Sequence, residues 1–197
     1  MSVRDTMREV QKVALSASER KDDDTRHKCF VSYRVTDLEE VEQFFDDFGT
    51  EFIPRSVGVT EEDDFIESSD DDYIKRRIRD LYLTDSTVTI LLVGGCTWSR
   101  KFVDWELSSS LRNDSANRRN GLLAIQLPST DAPTIPSRVK DNWVREEPDL
   151  SYALYKKYPS STSTLRAYIE TAFVARTAKA ALVSNSRALR KNNSQCP

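Results

Sequence analysis

Apolar positions along this chain follow two spacings, and their alternation predicts strands separated by helices. Consecutive apolar and β-branched residues predict buried strands at residues 28–33, 87–93 and 121–127. A shorter strand is predicted at 51–53, where Pro54 ends it because proline cannot donate to a sheet ladder. Between the strands, apolar residues recur every three or four positions, as on a helix with one buried face. These helical stripes are Leu38, Val41, Phe45 and Phe48; Ile74, Ile78 and Leu81; and Val103, Leu107 and Leu111.

The order of the elements predicts an α/β fold. Strands that alternate with helices at this spacing form a parallel sheet with right-handed crossovers, so we expect a doubly wound, flavodoxin-like parallel sheet. Asp37, with Glu40 three positions later, predicts a capping box at the start of the first helix of this domain. The domain is expected over residues 26–150, with a short last strand around Trp143 and Val144.

Both ends of the chain are predicted to lie outside that domain. Residues 1–25 predict an N-terminal helical extension, and residues 151–184 predict a C-terminal helical extension. Residues 185–197 are rich in Ser, Asn, Arg and Lys, a composition typical of a disordered tail. The apolar stripes of the two extensions are Val3, Met7, Val10 and Val13, and Leu165, Tyr168, Ile169, Ala172 and Phe173.

Composition and charge exclude several classes of function. A net charge of −3 provides no basic face for nucleic acid. The longest apolar run, residues 89–93, is too short to cross a membrane, and the first 25 residues lack the apolar core of a signal peptide. Cys29, Cys96 and Cys196 make no even disulfide framework, and we expect Cys29 and Cys96 to be buried free thiols. We therefore expect a reduced, cytoplasmic protein with no nucleic-acid or membrane partner.

Candidate chemistry concentrates at one edge of the predicted sheet. In an open parallel sheet, ligands bind outside the carboxyl ends of the strands. The segments there are residues 32–34, residues 94–100 and the helix that carries Glu106. His27 is the only histidine and precedes the first strand, so we expect neither a histidine triad nor a metal site. No glycine-rich phosphate loop or dinucleotide fingerprint occurs.

Two segments resemble a known family. Lys28-Cys-Phe-Val-Ser-Tyr-Arg34 resembles the first box of TIR domains, and residues 85–94 followed by 97–107 resemble the TIR third strand and its glutamate-bearing helix. The combination covers about 100 residues and leaves both ends of the chain uncovered. It most resembles the TIR-like branch that includes the NAD-cleaving proteins of bacterial Thoeris anti-phage defence.

The resemblance implies a catalytic role for Glu106. In enzymatic TIR domains, a glutamate at this position faces the nicotinamide ribose of NAD, which is the substrate, and no further cofactor is implied. A carboxylate there stabilises the oxocarbenium character that develops as the N-glycosidic bond breaks. The product is then ADP-ribose, a cyclic isomer or an ADP-ribose conjugate. The resemblance also implies activation through a homo-oligomer, a phage-derived trigger, and a downstream effector reached through the nucleotide product.

Supporting roles are expected for residues at the same sheet edge. Backbone N–H groups of Ser32 and Tyr33 would hold phosphate oxygens, and Arg34 would neutralise the pyrophosphate. Phe30 and Tyr33 are candidates for contact with nicotinamide, although Phe30 also reads as a core residue. A helix N-terminus that favours anions is predicted at Thr97, Ser99 and Arg100.

Alternatives of other classes remain open. Many TIR domains act only as scaffolds through self-association, and nucleoside deoxyribosyltransferases use a glutamate on an N-glycoside in a related fold. A receiver domain needs an acidic pair after the first strand, where Ser32 and Tyr33 stand. A flavin carrier needs a Ser/Thr-rich phosphate loop, which residues 34–36 do not supply. We therefore expect an NAD enzyme, with the scaffold and the transferase as alternatives.

Overall fold

The computed structural model describes residues 26–57, 67–114 and 118–196. The predicted helix at 1–25 and most of the acidic stretch at 61–72 lie outside the described residues. The strands are β1 (Lys28–Ser32), β2 (Ile53–Val57), β3 (Val88–Val93), β4 (Gly121–Gln126) and β5 (Leu154–Lys156). The helices are α1 (Leu38–Phe48), α2 (Asp71–Ile78), α3 (Lys101–Leu111), α4 (Ser137–Lys140) and α5 (Thr162–Ala178). Among the described residues, no helix is both long and apolar enough to cross a bilayer.

The strands form one parallel sheet in the order β2-β1-β3-β4-β5. Val31 lies opposite Ile90, Ile90 opposite Leu123, and Leu123 opposite Leu154, so one register runs through the centre of the sheet. The chain starts in the middle, moves outward to β2, and then returns past β1 to build the other half. This topology confirms the predicted doubly wound α/β fold.

Two strand predictions are wrong: the strand around residues 143 and 144, and the end of the second strand at Pro54. Residues 143 and 144 form no strand, because the chain turns directly after α4 and Asn142 N–H bonds to the Val139 carbonyl at 3.0 Å. The last strand is β5, so the sheet extends past the predicted boundary at residue 150. Pro54 does not end β2 but lies within it, which is possible because β2 is an edge strand and its free side needs no donor.

Each sheet face is covered by helices whose apolar stripes match the predicted spacing. One face packs against α1 and α5 in a core that contains Phe44, Phe45 and Leu165. The other face packs against α2 and α3, with two adjoining clusters centred on Leu107 and Ile78. These buried faces fix how each helix is rotated about its axis, and therefore which side chains reach the carboxyl edge of the sheet.

Leu81 departs from the predicted stripe of the helix at 71–83. It is 45 % exposed, whereas Leu83 is buried in the cluster with Ile78. The chain after Ile78 forms a π-helical turn over Arg79–Leu83, and this wider turn moves the inward-facing position along the chain.

The C-terminal tail, defined here as residues 183–196, is packed rather than disordered. Leu189 is buried in the same cluster as Trp105, and the Trp105 indole N–H donates to the Arg190 carbonyl at 2.8 Å. The Arg138 guanidinium, 1 % exposed, donates to the carbonyls of Arg187 and Ala188 at 2.9 and 3.0 Å. The predicted disorder of 185–197 is therefore wrong for residues 185–196, because buried groups of the domain use the backbone of the tail as their partner.

A disulfide links the tail to the domain. Cys96, in the loop after β3, is bonded to Cys196, and their Cα atoms lie 5.7 Å apart, a usual separation for such a bond. Cys29 is a buried free thiol, as predicted. The expectation of a free thiol at Cys96 is wrong, because the packed tail brings Cys196 across 100 residues of sequence to it.

Candidate functional site

The order of the strands creates a crevice between β1 and β3. The loop after β1 leads outward to α1 on one face, and the loop after β3 leads to α3 on the other. Loops that diverge in this way leave a gap at the carboxyl edge of the sheet, which is where ligands bind in open α/β sheets. Several of the predicted site residues therefore lie around one topological switch point.

Glu106 reaches this edge from the middle of α3. Val103 and Leu107, on the same helix, are buried against the sheet and set the helix rotation. Glu106 is only 2 % exposed, and the Ser32 hydroxyl, at the end of β1, donates to its Oε2 at 2.5 Å. A hydrogen bond to a buried carboxylate is among the stronger kinds in proteins, so Glu106 is held in a defined orientation.

Tyr33 supplies a buried hydroxyl beside this pair. Among the described residues, its phenolic oxygen has no hydrogen-bond partner. Burial raises the pKa of the Tyr33 phenol, and the negative charges of Glu106 and Glu42 raise it further. Tyr33 is therefore a neutral, buried donor without a hydrogen-bond partner in the described part of the chain.

Asp37 is a second carboxylate at the crevice, at a position where the sequence predicts only a helix cap. Its side chain makes no capping bond; instead the Thr97 hydroxyl donates to Asp37 Oδ2 at 3.4 Å. Thr97 also accepts a bond from the Gly94 backbone N–H at 2.9 Å, so Asp37 joins the two loops. Burial raises the pKa of Asp37, while the nearby charge of Arg34 opposes that rise.

Gly94 allows this close approach because it has no Cβ atom. A Cβ atom at Gly94 would lie 2.4 Å from Asp37 Oδ2 and 2.8 Å from Asp37 Cγ. Contacts this short force one of the groups to shift, so a larger residue would move the Asp37 carboxylate away. A glycine directly after a buried strand was the sequence signal for this contact, although glycine suits any tight turn.

The remaining predicted site residues divide into two groups. Arg34 is half-buried at the crevice beside Asp37, whereas Phe30 is fully buried in a hydrophobic cluster with Ile78 and Trp105. A ligand could touch the Phe30 ring only if that cluster opened, so Phe30 is placed as a core residue. The Ser99 hydroxyl is used within its own turn, donating to the Cys96 carbonyl at 2.8 Å.

Arg100 and Thr97 also line a separate cavity of about 340 Å³ on the side of the tail. Asp104 of α3 and the tail residues Arg187 and Arg190 line this cavity as well. The structure thus brings Ser32, Tyr33, Arg34, Thr97 and Glu106 to one edge and leaves Phe30 and Ser99 outside the crevice. No group of three or more potential metal-ligating side chains is found in the part of the chain that the structure describes.

The fold and this crevice define a TIR-like α/β domain with a buried glutamate at the switch point. The family model described as Thoeris protein ThsB, TIR-like domain, matches residues 30–132, just over half of the 197 residues. The chain therefore belongs to the TIR-like family of the Thoeris anti-phage protein ThsB. The match includes Ser32, Asp37 and Glu106 and stops before β5, α5 and the tail. No curated protein matches the chain significantly.

Proposed function

We propose that this protein is an NAD-processing enzyme that cleaves the nicotinamide–ribose bond and produces an ADP-ribose-type signal in anti-phage defence. One observation carries the proposal: the Glu106 carboxylate is buried at the switch point and bonded by the Ser32 hydroxyl. A carboxylate kept at a ligand-binding edge, away from water, is the group that cleavage of an N-glycosidic bond needs.

The chemistry follows from where charge develops. As the bond to nicotinamide breaks, the ribose carbon gains oxocarbenium character, and a nearby carboxylate stabilises the positive charge more strongly in a dry site than in water. Nicotinamide leaves as a neutral base with the bonding electron pair, so little demand for a general acid arises. Glu106 supplies the charge in this scheme, and Ser32 keeps the carboxylate oriented.

The other crevice residues hold the rest of the dinucleotide. Arg34 would neutralise the pyrophosphate, and the backbone N–H groups that end β1 would bind its oxygens. The Tyr33 hydroxyl, without a partner among the described residues, would donate to a ribose or phosphate oxygen. Asp37 would position the loop after β3 through Thr97, since it links the two sides of the crevice.

The nucleophile determines the product. Attack by water gives ADP-ribose, attack by a hydroxyl or ring nitrogen of the same nucleotide gives a cyclic isomer, and attack by another molecule gives a conjugate. Glu106 is 2 % exposed, so entry of NAD requires movement of the segments around it. We propose that this movement accompanies assembly into a homo-oligomer in response to a phage-derived trigger, and that an effector binds the product. The cytoplasmic location stays a prediction.

The test is mass spectrometry of nucleotides after the full chain is incubated with NAD. The wild type, Glu106→Gln and a matched control, Glu51→Gln, are compared at high protein concentration and in lysate of phage-infected cells. Glu51 is also a buried carboxylate, but it pairs with Arg166 outside the crevice. We expect a new ADP-ribose-type product whose rate falls about 10²–10³-fold or more in Glu106→Gln and by less than about twofold in Glu51→Gln.

Two results would contradict the proposal of NAD cleavage. Unchanged NAD in every condition, with folded protein, would leave the non-enzymatic scaffold as the better interpretation. Cleavage of deoxynucleosides but not of NAD in the same assay would identify the transferase alternative.

A further inference from the structure

A second cavity lies at the carboxyl ends of β4 and β5, away from the switch point. Its volume is about 690 Å³, and it is bounded by the last residue of β4, the loop at 131–135, the turn after α4 and the end of β5. This volume falls within the range of small-molecule sites, which is roughly 300–1,000 Å³. None of the residues assigned to the candidate catalytic crevice lines it.

Two aromatic rings form part of the wall. Trp143 and Tyr155 pack with ring centroids 5.2 Å apart at an interplanar angle of 53°, and both are half-buried. The Tyr155 hydroxyl donates to Gln126 Oε1 at 3.3 Å, which helps to fix the ring. The cavity therefore presents a pre-arranged aromatic surface that is only partly covered by the protein itself.

Four cations line the cavity together with these rings, and one of them, Lys156, has its ammonium 5.7 Å from the centroid of the Tyr168 ring. Lys140, Arg145 and Lys157 line the cavity and are exposed, and in the described part of the chain none of them has an ion pair or a side-chain hydrogen bond. Asp131 is the one acidic residue among the described residues that line the cavity. In contrast, Arg138 is paired with Asp104. Unpaired cations gathered at one cavity of a chain with net charge −3 indicate a site suited to an anion.

We propose that this cavity binds a nucleotide that carries two or more phosphates. The base stacks on the surface formed by Trp143 and Tyr155, and the phosphates lie among Lys140, Arg145 and Lys157. An aromatic wall alone would suit an apolar ligand, and cations alone would suit any anion. Their combination selects a planar ring attached to a polyanion. The proposal does not depend on the chemistry assigned to Glu106.

The test uses the full chain and three probes: ATP, inorganic tripolyphosphate and adenosine, each titrated without magnesium at low salt by calorimetry. The cavity variant combines Lys140→Gln, Arg145→Gln and Lys157→Gln. The matched control removes the same charge elsewhere, and its substitutions are Arg76→Gln, Arg118→Gln and Lys191→Gln, all at exposed positions outside the cavity.

We expect ATP to bind more tightly than tripolyphosphate or adenosine. The cavity variant should weaken ATP binding at least about tenfold, because each removed charge contributes to the contact with phosphate, while the control changes it by less than about twofold. Trp143→Phe should retain ATP binding, and Trp143→Leu should weaken it, since only the former keeps a ring to stack on the base.

Three outcomes would overturn the assignment. Absence of saturable ATP binding would show that the cavity is not a nucleotide site. Equal losses of ATP affinity in the cavity variant and the control would show that the effect comes from overall charge and not from this cavity. Equal affinity for ATP and tripolyphosphate would show that the aromatic pair takes no base. Because these titrations measure binding of ATP and not turnover of NAD, the result is independent of the NAD-cleavage assay.

Discussion

The hydrogen bond between Ser32 and Glu106 can be tested by replacing Ser32 with alanine. The bond is 2.5 Å long, and its two residues are 0 % and 2 % exposed, so water cannot replace the lost donor without rearrangement. Hydrogen bonds to charged groups contribute about 1.5–3 kcal/mol. With a urea m-value of about 2 kcal/mol/M, a loss of about 2 kcal/mol lowers the unfolding midpoint by about 1 M. Equilibrium urea unfolding followed by circular dichroism measures that shift.

Ser110→Ala is the matched control for this experiment. Ser110 lies on α3, the helix that carries Glu106, and its hydroxyl is 2.7 Å from the hydroxyl of Thr89. When Ser110 is replaced by alanine, Thr89 still accepts a hydrogen bond from the Asn120 side-chain amide at 3.0 Å. The neutral bond between Ser110 and Thr89 should contribute only about 0.5–1.5 kcal/mol. If Ser32→Ala unfolds at the same urea concentration as Ser110→Ala or the wild type, the Ser32 hydroxyl does not hold Glu106, and the proposed role of Ser32 in orienting the carboxylate fails.

Two further predictions concern the crevice and the tail. Because burial raises the pKa of Asp37, the native state disfavours its charged form, and the stability it contributes at low pH is lost as pH rises through its folded pKa. Asp37→Asn should therefore raise the urea midpoint at pH 7 and leave it unchanged near pH 3; a lower midpoint at pH 7 would contradict the burial argument. Cys196→Ser should lower the free energy of unfolding by up to about 4–5 kcal/mol, since the disulfide closes a separation of 100 residues. A reductant should shift the wild type equally and the variant not at all, and insensitivity of the wild type to reductant would refute a stabilising role for the bond.

Much of the sheet could be predicted from spacing alone because its central strands are long. β3 and β4 have six residues each and are mostly apolar, and such runs are distinct from helical periodicity. β5 has three residues, Leu154–Lys156, each only half-buried, so no pattern distinguishes it from a loop. Short strands at the end of a sheet are defined by pairing with a neighbour, and that pairing is a tertiary contact.

The candidate site was predictable only in part, for a related reason. Glu106 stands on a helix of ordinary composition, and the resemblance to TIR domains, not periodicity, singled it out. Asp37 fitted a capping box, and Thr97, which donates to its carboxylate across the crevice, lies 60 residues away. A local rule therefore accounted for Asp37 before its long-range contact could be considered.

The tail shows why composition can mislead. Ser, Asn, Arg and Lys dominate residues 185–197, as in disordered segments. The contacts with Arg138 and Trp105 use backbone carbonyls of the tail, at residues 187, 188 and 190. Every residue type has a carbonyl, so such contacts leave little trace in the sequence.

The buried guanidinium of Arg138 limits where the chain can be shortened without loss of stability. A boundary near residue 184 would be the natural choice from composition, and the family match already ends at 132. Cutting there would remove the two carbonyls and the Asn185 side-chain oxygen that accept bonds from Arg138, which is 1 % exposed in the intact chain. The ion pair with Asp104 at 2.8 Å would stay. A buried donor without an acceptor destabilises a protein by about 1–3 kcal/mol, more when charged. The C-terminal tail, although polar in composition, therefore forms part of the interior of the domain.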